Sequence, residues 1–133
     1  MSKRLGIIGG SGLYEIPGVD ILELHSIDTP WGAPSAPVVE CKYKEQSFFF
    51  LPRHGIGHSI PPSKINYRAN IDAFKKLDVT DVLSLSSVGS LNGDLSAGVF
   101  VVINQYVDFT KNRISTFFDD DIVVHVSMNN NII

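Results

Sequence analysis

Three short apolar segments, each followed at once by a loop of small, polar or cationic residues, most constrain the fold of this chain. The segments are residues 5–8, 48–51 and 81–86, and the loops are residues 9–12, 53–55 and 86–90. Apolar runs of this length that end at turn-forming residues predict buried strands. Ligands of open α/β sheets gather outside the carboxyl ends of strands, so we expect these loops to lie around one site.

Further strands and one helix are predicted between and beyond these segments. Residues 21–27 and 38–43 alternate in part between apolar and polar side chains, and residues 99–107 give the last strong strand signal. Residues 29–37 are rich in proline and glycine and predict a loop. Apolar residues recur at intervals of four from about Pro62 to Leu77, which predicts an amphipathic helix.

This set of elements predicts an α/β fold with a mixed sheet. One helix cannot cover both faces of such a sheet. The chain is therefore short of helices for its strands, which indicates that part of the domain is missing.

Composition excludes several classes of function. The chain has 133 residues, a formal net charge of −3 and a pI near 5.7, so it lacks the basic footprint of a nucleic-acid binder. No apolar segment approaches the roughly 18 residues of a membrane helix. A single cysteine, Cys41, and the absence of a leader-like start favour a reducing compartment, and we expect a cytoplasmic protein.

Each of the three loops carries groups that suit a small anion. The loop at residues 9–12 offers backbone N–H groups and the Ser11 hydroxyl. Arg53 supplies a planar cation whose geometry matches phosphate, and His54 adds a titratable donor. Ser86 and Ser87 add hydroxyl groups at the third loop.

Simpler interpretations of these loops stay open. The glycine turn could only reverse the chain, Arg53 could form an exposed ion pair, and the serines could satisfy their own backbone. His54 and His58 could suggest a metal, but Asp, Glu and Cys are absent at ligand spacing nearby, which makes a metal the weaker interpretation. His125 and the acidic residues 119–121 are assigned no role.

Six blocks of sequence resemble the trimeric methylthioadenosine and purine nucleoside phosphorylases, and they occur in family order. They are LGIIGGSGLY at residues 5–14, TPWG at 29–32, PRHG at 52–55, PSKINYRAN at 62–70, SVGSL at 87–91 and NQYVD at 104–108. The resemblance implies phosphorolysis of 5′-methylthioadenosine to adenine and 5-methylthioribose 1-phosphate. It implies inorganic phosphate as co-substrate, no cofactor, and a homotrimer. A 6-oxopurine nucleoside, inosine or guanosine, is the alternative substrate.

The resemblance also implies which residues bind phosphate. Ser11 resembles the hydroxyl donor, Arg53 and His54 resemble the charged clamp, and Ser86 and Ser87 resemble the pair at the third loop. The family usually has a Thr-Ala or similar pair there, and Ser86 keeps the hydroxyl group, so we expect phosphate binding to be retained.

The carboxyl end departs from the family pattern. Residues 1–133 are interpreted as the N-terminal half of one nucleoside phosphorylase domain, with residues 129–133 as a tail outside the family pattern. The residues that hold the purine belong to the second half in the family. We therefore expect the chain as written to be inactive, or a non-catalytic truncated remnant, and no catalytic residue is assigned.

Overall fold

The computed structural model describes residues 3–10 and 16–126, and the chain divides into two compact units, Met1–Ser86 and Ser87–Ile133. All regular strands and helices in the described ranges belong to the first unit. They are β1 (Leu5–Gly9), β2 (Val19–His25), β3 (Val38–Tyr43), β4 (Gln46–Pro52), the 3₁₀ turns Ile56–His58 and Pro62–Lys64, α1 (Tyr67–Lys76) and β5 (Asp81–Ser84).

The five strands form one mixed sheet in the order β2-β3-β4-β1-β5. β2, β3 and β4 pair antiparallel, whereas β1 pairs parallel with β4 on one side and β5 on the other. A two-residue turn joins β3 to β4, and Lys44 adopts a positive φ of 53° there. The predicted α/β fold with a mixed sheet is confirmed.

Helix α1 covers one face of the sheet. Its residues Ala73 and Phe74 pack with Ile8, Val38 and Leu51 in one buried cluster. Close approach of the helix depends on Gly6, because a Cβ there would lie 2.9 Å from the Val79 side chain and 3.0 Å from Phe74.

The opposite face of the sheet carries a second buried cluster. Its members are Val39, Cys41, Phe48 and Phe50. Burial, with a smaller contribution from the nearby Glu40 charge, raises the pKa of the Cys41 thiol. The thiol therefore stays protonated and packs as an apolar group.

The predicted helix begins five residues later than its apolar periodicity suggested. Residues Pro62–Lys64 form a 3₁₀ turn, and Ile65 is extended although its side chain is buried. Asn66 then caps α1, because its side chain accepts a hydrogen bond from the Ala69 N–H at 3.1 Å. No helix within the described ranges is long and apolar enough to cross a membrane.

Two strand predictions need correction. Residues 81–86 were predicted as a buried strand, but β5 ends at Ser84, lies at an edge of the sheet and has all four of its residues exposed. Residues 99–107 were predicted as a strand and form none; residues 99–103 are all exposed. Apolar content alone does not make a strand, since backbone N–H and C=O groups also need a neighbouring strand.

The packing of α1 makes a stability prediction. Phe74 is 1% exposed, and Phe74→Ala removes the largest side chain that α1 contributes to the buried cluster. We expect the free energy of unfolding to fall by about 3–5 kcal/mol, measured by urea denaturation followed by circular dichroism. Phe100→Ala is the matched control because Phe100 is 92% exposed, and its expected effect is within about 0.5 kcal/mol. Equal losses in both variants would contradict the described core.

Candidate anion-binding site

The carboxyl ends of β4, β1 and β5 lie side by side at one edge of the sheet. The three strands are neighbours and run parallel, so each chain segment leaves the sheet on the same side. The loops with anion-binding chemistry follow these strands, after Gly9, Pro52 and Ser84. The strands that lead into the three loops therefore end on the same side of the sheet, and the expectation that the loops surround one site stays a prediction.

Arg53 is the first residue after β4, and both its backbone and its side chain are fixed. Its backbone N–H donates to the Gly9 carbonyl at the end of β1, at 3.0 Å. Its guanidinium Nη1 donates to the Leu85 carbonyl, just beyond β5, at 2.7 Å. Leu85 in turn donates its N–H to the Ile8 carbonyl at 2.8 Å. Arg53 thus connects the ends of all three parallel strands, and its cation is held at their common edge.

His54 is buried, with 8% of its surface exposed, and its ring has a defined orientation. Nδ1 lies 2.9 Å from the Ile60 carbonyl, and the Ile60 N–H donates back to the His54 carbonyl at 2.9 Å. The ring also stacks on His58, with centroids 4.4 Å apart and 16° between the planes. The two histidines that could have suggested a metal are therefore a stacked pair.

The loop from His54 to Ile60 depends on glycine at position 55. Gly55 has a φ of 73°, which L-residues rarely adopt. A Cβ at Gly55 would lie 3.1 Å from Ile60 and 3.2 Å from the Ser35 carbonyl oxygen. Gly57 has a similar φ of 69°, but a Cβ there would meet nothing within 4 Å. The loop is therefore tightly packed at Gly55 and open at Gly57.

The proline- and glycine-rich loop at residues 29–37 is fixed to α1 by two asparagines. Asn66 donates to the Trp31 carbonyl at 2.7 Å. Asn70, only 1% exposed, accepts from the Ser35 N–H at 2.8 Å and donates to the Ser35 hydroxyl at 3.0 Å. The Arg68 guanidinium also lies over the Trp31 ring, 4.5 Å from its centroid. Sequence reasoning missed these contacts, although Asn66 before an apolar run is a cap signal.

The structure describes two of the three serines that were predicted at the site. Ser11 is outside the described residues. Ser86 is exposed. It directly follows Leu85, whose carbonyl accepts the hydrogen bond from the Arg53 guanidinium. Ser87 is exposed and is the first residue of the second unit. The roles of Ser11, Ser86 and Ser87, and those of Arg53 and His54, as phosphate ligands stay predictions.

A group with metal-ligand chemistry lies on β2 and β3. Potential ligand atoms of Glu23, His25 and Glu40 are all within 4.8 Å of one another. His25 Nε2 is 3.2 Å from Glu40 Oε2, and Nδ1 is 4.0 Å from Glu23 Oε1. The hydrogen bond between His25 and Glu40 already gives these two side chains a partner, so the geometry does not require a metal.

The mixed five-stranded sheet matches the fold of solved phosphorylases, and comparison with known proteins gives the class of this chain. The phosphorylase superfamily matches residues 4–132. The chain therefore belongs to the phosphorylase superfamily, and the resemblance seen in its motifs is confirmed.

Two curated relatives that this chain resembles are S-methyl-5′-thioadenosine phosphorylases. The chain is 49% identical over 124 residues to the S-methyl-5′-thioadenosine phosphorylase of Bradyrhizobium diazoefficiens, covering 93% of this chain and 43% of the relative. It is 53% identical over 126 residues to that of Saccharolobus solfataricus, covering 93% of this chain and 46% of the relative.

Solved structures give the same result. A methylthioadenosine phosphorylase from an Antarctic soil metagenomic library superposes with a TM-score of 0.87 at 44% identity, over 96% of this chain and 44% of that chain. The methylthioadenosine phosphorylase of Schistosoma mansoni in complex with adenine gives a TM-score of 0.80 at 43% identity, over 90% and 43%. The chain thus spans less than half the length of these proteins.

The two glycines of the loop after Arg53 make a matched prediction. Gly55→Ala adds both backbone strain and contacts with Ile60 and the Ser35 carbonyl, whereas Gly57→Ala adds strain alone. We expect Gly57→Ala to lower the free energy of unfolding by about 1–2 kcal/mol and Gly55→Ala to lower it by more, measured by urea denaturation. A smaller loss for Gly55→Ala than for Gly57→Ala would contradict the packing of this loop against Ser35.

Proposed function

We propose that this chain supplies the phosphate-binding part of a phosphorylase that cleaves 5′-methylthioadenosine. The observation that carries the proposal is the position of Arg53. Its guanidinium is held by the Leu85 carbonyl, and its backbone by the Gly9 carbonyl, at the common end of three parallel strands. One Nη1 hydrogen is used for this attachment, and the other N–H groups of the guanidinium are suited to a phosphate.

The proposed role of the site is to hold inorganic phosphate as the nucleophile. A phosphate oxygen forms a bond to the anomeric carbon of the ribose as the bond from that carbon to the purine nitrogen breaks. The purine leaves with the electron pair and takes up a proton. A fixed cation helps because it positions the nucleophile and removes the entropic cost of bringing it to the sugar. Backbone and side-chain attachment of Arg53 supports such a fixed position.

Two of the remaining proposed ligands are sequence neighbours of Arg53 or of its hydrogen-bond partner. His54 follows Arg53 directly and is oriented by Ile60. Ser86 follows Leu85, the residue that accepts the Arg53 hydrogen bond. Ser87 and Ser11 are proposed as further donors on the strength of the motifs that carry them. The proposal includes no cofactor beyond phosphate, and the homotrimer implied by the resemblance stays a prediction.

The choice of 5′-methylthioadenosine rests on the relatives. The curated relatives and solved structures described above all carry the name of a methylthioadenosine phosphorylase. Because the chain spans less than half of their length, we propose that the purine is held by the part of these proteins that the chain does not span. The 133 residues are therefore expected to bind phosphate without turning over the nucleoside.

The phosphate site can be tested on Arg53. Arg53→Gln removes the cation that we place on phosphate, and we expect phosphate affinity to fall roughly 10- to 100-fold, since a hydrogen bond to a charged group contributes about 1.5–3 kcal/mol. Isothermal titration of inorganic phosphate into the chain measures the change. Arg113→Gln makes the same charge change at an exposed position and should leave affinity unaltered. Unchanged affinity in Arg53→Gln would contradict the proposal.

A second test concerns turnover. The purified chain is incubated with 5′-methylthioadenosine, with and without phosphate, and adenine release is followed by chromatography. We expect no phosphate-dependent release, because this chain is proposed to lack the groups that hold and protonate the base. Phosphate-dependent release that Arg53→Gln abolishes would support the phosphate site and refute the expectation that this chain is inactive.

A further inference from the structure

We propose that Glu23, His25 and Glu40 form a binding site for one divalent transition-metal ion, of which Zn²⁺ is the example used in the test below. The three residues lie on β2 and β3, and one potential ligand atom from each lies within 4.8 Å of the others. None of them belongs to the proposed phosphate site, so this inference does not depend on the proposed function.

Strand pairing brings the three side chains together. Ile21 pairs with Cys41, and the register then shifts so that Glu23 lies directly opposite Glu40. An irregularity of this kind re-aims the side chains that follow it. His25 lies two residues beyond Glu23, so both side chains leave the same face of β2. The backbone of β2 and β3 therefore presents one imidazole and two carboxylates on one face of the sheet.

The pairing of Glu23 with Glu40 is itself an observation that points to a cation. Like charges at directly opposite positions of two strands destabilise a sheet. His25 forms its hydrogen bond with Glu40, whereas Glu23 Oε1 is 4.0 Å from His25 Nδ1, too far for a hydrogen bond. Within the described ranges, the ion pairs of lysine and arginine are made with other carboxylates. A dication bound between the two glutamates offsets their repulsion.

His25 has the restricted position that suits a metal ligand. Its ring contacts the Phe49 ring edge-on, with centroids 5.9 Å apart and 61° between the planes. The Arg4 guanidinium lies over the same Phe49 ring, 5.0 Å from its centroid, but its ion pair is with Asp78. A ligand that is already held by packing loses little side-chain freedom when an ion binds.

The cluster is packed on one side and open to solvent on the other. The exposed fraction of the side chain increases from 19% in His25 to 28% in Glu40 and 66% in Glu23. Two atoms that bind one Zn²⁺ ion are at most roughly 4 Å apart, because each bond is about 2.0–2.2 Å long. The 3.2 Å between His25 Nε2 and Glu40 Oε2 meets this limit. Glu23 is the most exposed of the three side chains and can adjust to meet it.

The ligand set favours a transition-metal dication over Mg²⁺ or Ca²⁺. Zn²⁺ is bound by histidine nitrogen and by carboxylate oxygen. Mg²⁺ and Ca²⁺ instead take oxygen ligands. Because β2 is an edge strand whose residues are largely exposed, an ion shared with β3 should stabilise the pairing of these two strands.

Titration calorimetry of the chain with Zn²⁺, in a phosphate-free buffer at neutral pH, tests the site. We expect one Zn²⁺ ion bound per chain and no binding of Mg²⁺ under the same conditions. Glu40→Gln keeps a hydrogen-bonding group beside His25 but removes a carboxylate ligand, so the chain should fold and bind Zn²⁺ at least about 10-fold more weakly. His25→Ala should weaken binding by at least as much.

Two control variants carry the same changes outside the cluster. Glu45→Gln removes a carboxylate from the exposed turn between β3 and β4, and His58→Ala removes one ring of the stacked pair. Both should bind Zn²⁺ with unaltered affinity. Zn²⁺ should also raise the urea midpoint of the unaltered chain more than that of Glu40→Gln, because an ion that binds only the folded state stabilises it.

Two outcomes would overturn the inference. If Zn²⁺ does not bind, or binds equally well to Glu40→Gln, His25 alone compensates the two carboxylates. If binding is lost in His58→Ala and kept in His25→Ala, the ion is held by the loop histidines and not by β2 and β3.

Discussion

Parallel pairing of β1 with both β4 and β5 is the constraint on which the rest of the structure depends. It brings three strand ends to one edge of the sheet, and each end is followed by a loop with groups suited to an anion. Arg53 reinforces this arrangement, because its hydrogen bonds go to carbonyls after β5 and at the end of β1. The residue proposed to bind phosphate is therefore also one that holds the strand ends together.

A second set of polar contacts connects α1 with the loop at residues 29–37. Asn70 is a buried side chain on α1 whose amide is satisfied on both sides by Ser35. The Ser35 carbonyl then lies against Gly55, where a side chain would not fit without displacement. The loop at residues 29–37 thus contacts both helix α1 and the loop after Arg53. Because buried amides are costly to leave unpaired, this contact chain fixes the backbone from which His54 projects.

Sequence patterns predicted strands β1 to β4 well and the chain beyond α1 poorly. The apolar runs that became β1 and β4 lie inside the sheet, so burial on both sides matches their composition. Residues 81–86 and 99–107 have similar composition, yet β5 is an exposed edge and 99–107 forms no strand, because strand formation depends on partners that a local pattern does not encode. Ile65 is buried and fits the helical apolar pattern, but it is not helical. The predicted helix therefore began before the residue that caps α1.

The candidate site was accessible from sequence as a set of loops, but its geometry was not. Strand-end position and residue chemistry pointed to Arg53 and His54, and the family motifs added Ser11, Ser86 and Ser87. Contacts between residues distant in sequence, such as Arg53 with Leu85 and Asn70 with Ser35, leave no local pattern from which they could be predicted. The ring orientation of His54 likewise depends on where the loop places the Ile60 carbonyl.

The central claim is that the common end of β4, β1 and β5 binds phosphate through Arg53. A crystal structure of the chain grown with inorganic phosphate tests it most directly. We expect phosphate within hydrogen-bond distance of the Arg53 guanidinium and of His54, with the Leu85 carbonyl still bound to Nη1. Phosphate bound elsewhere, with Arg53 and His54 free of it, would contradict the account.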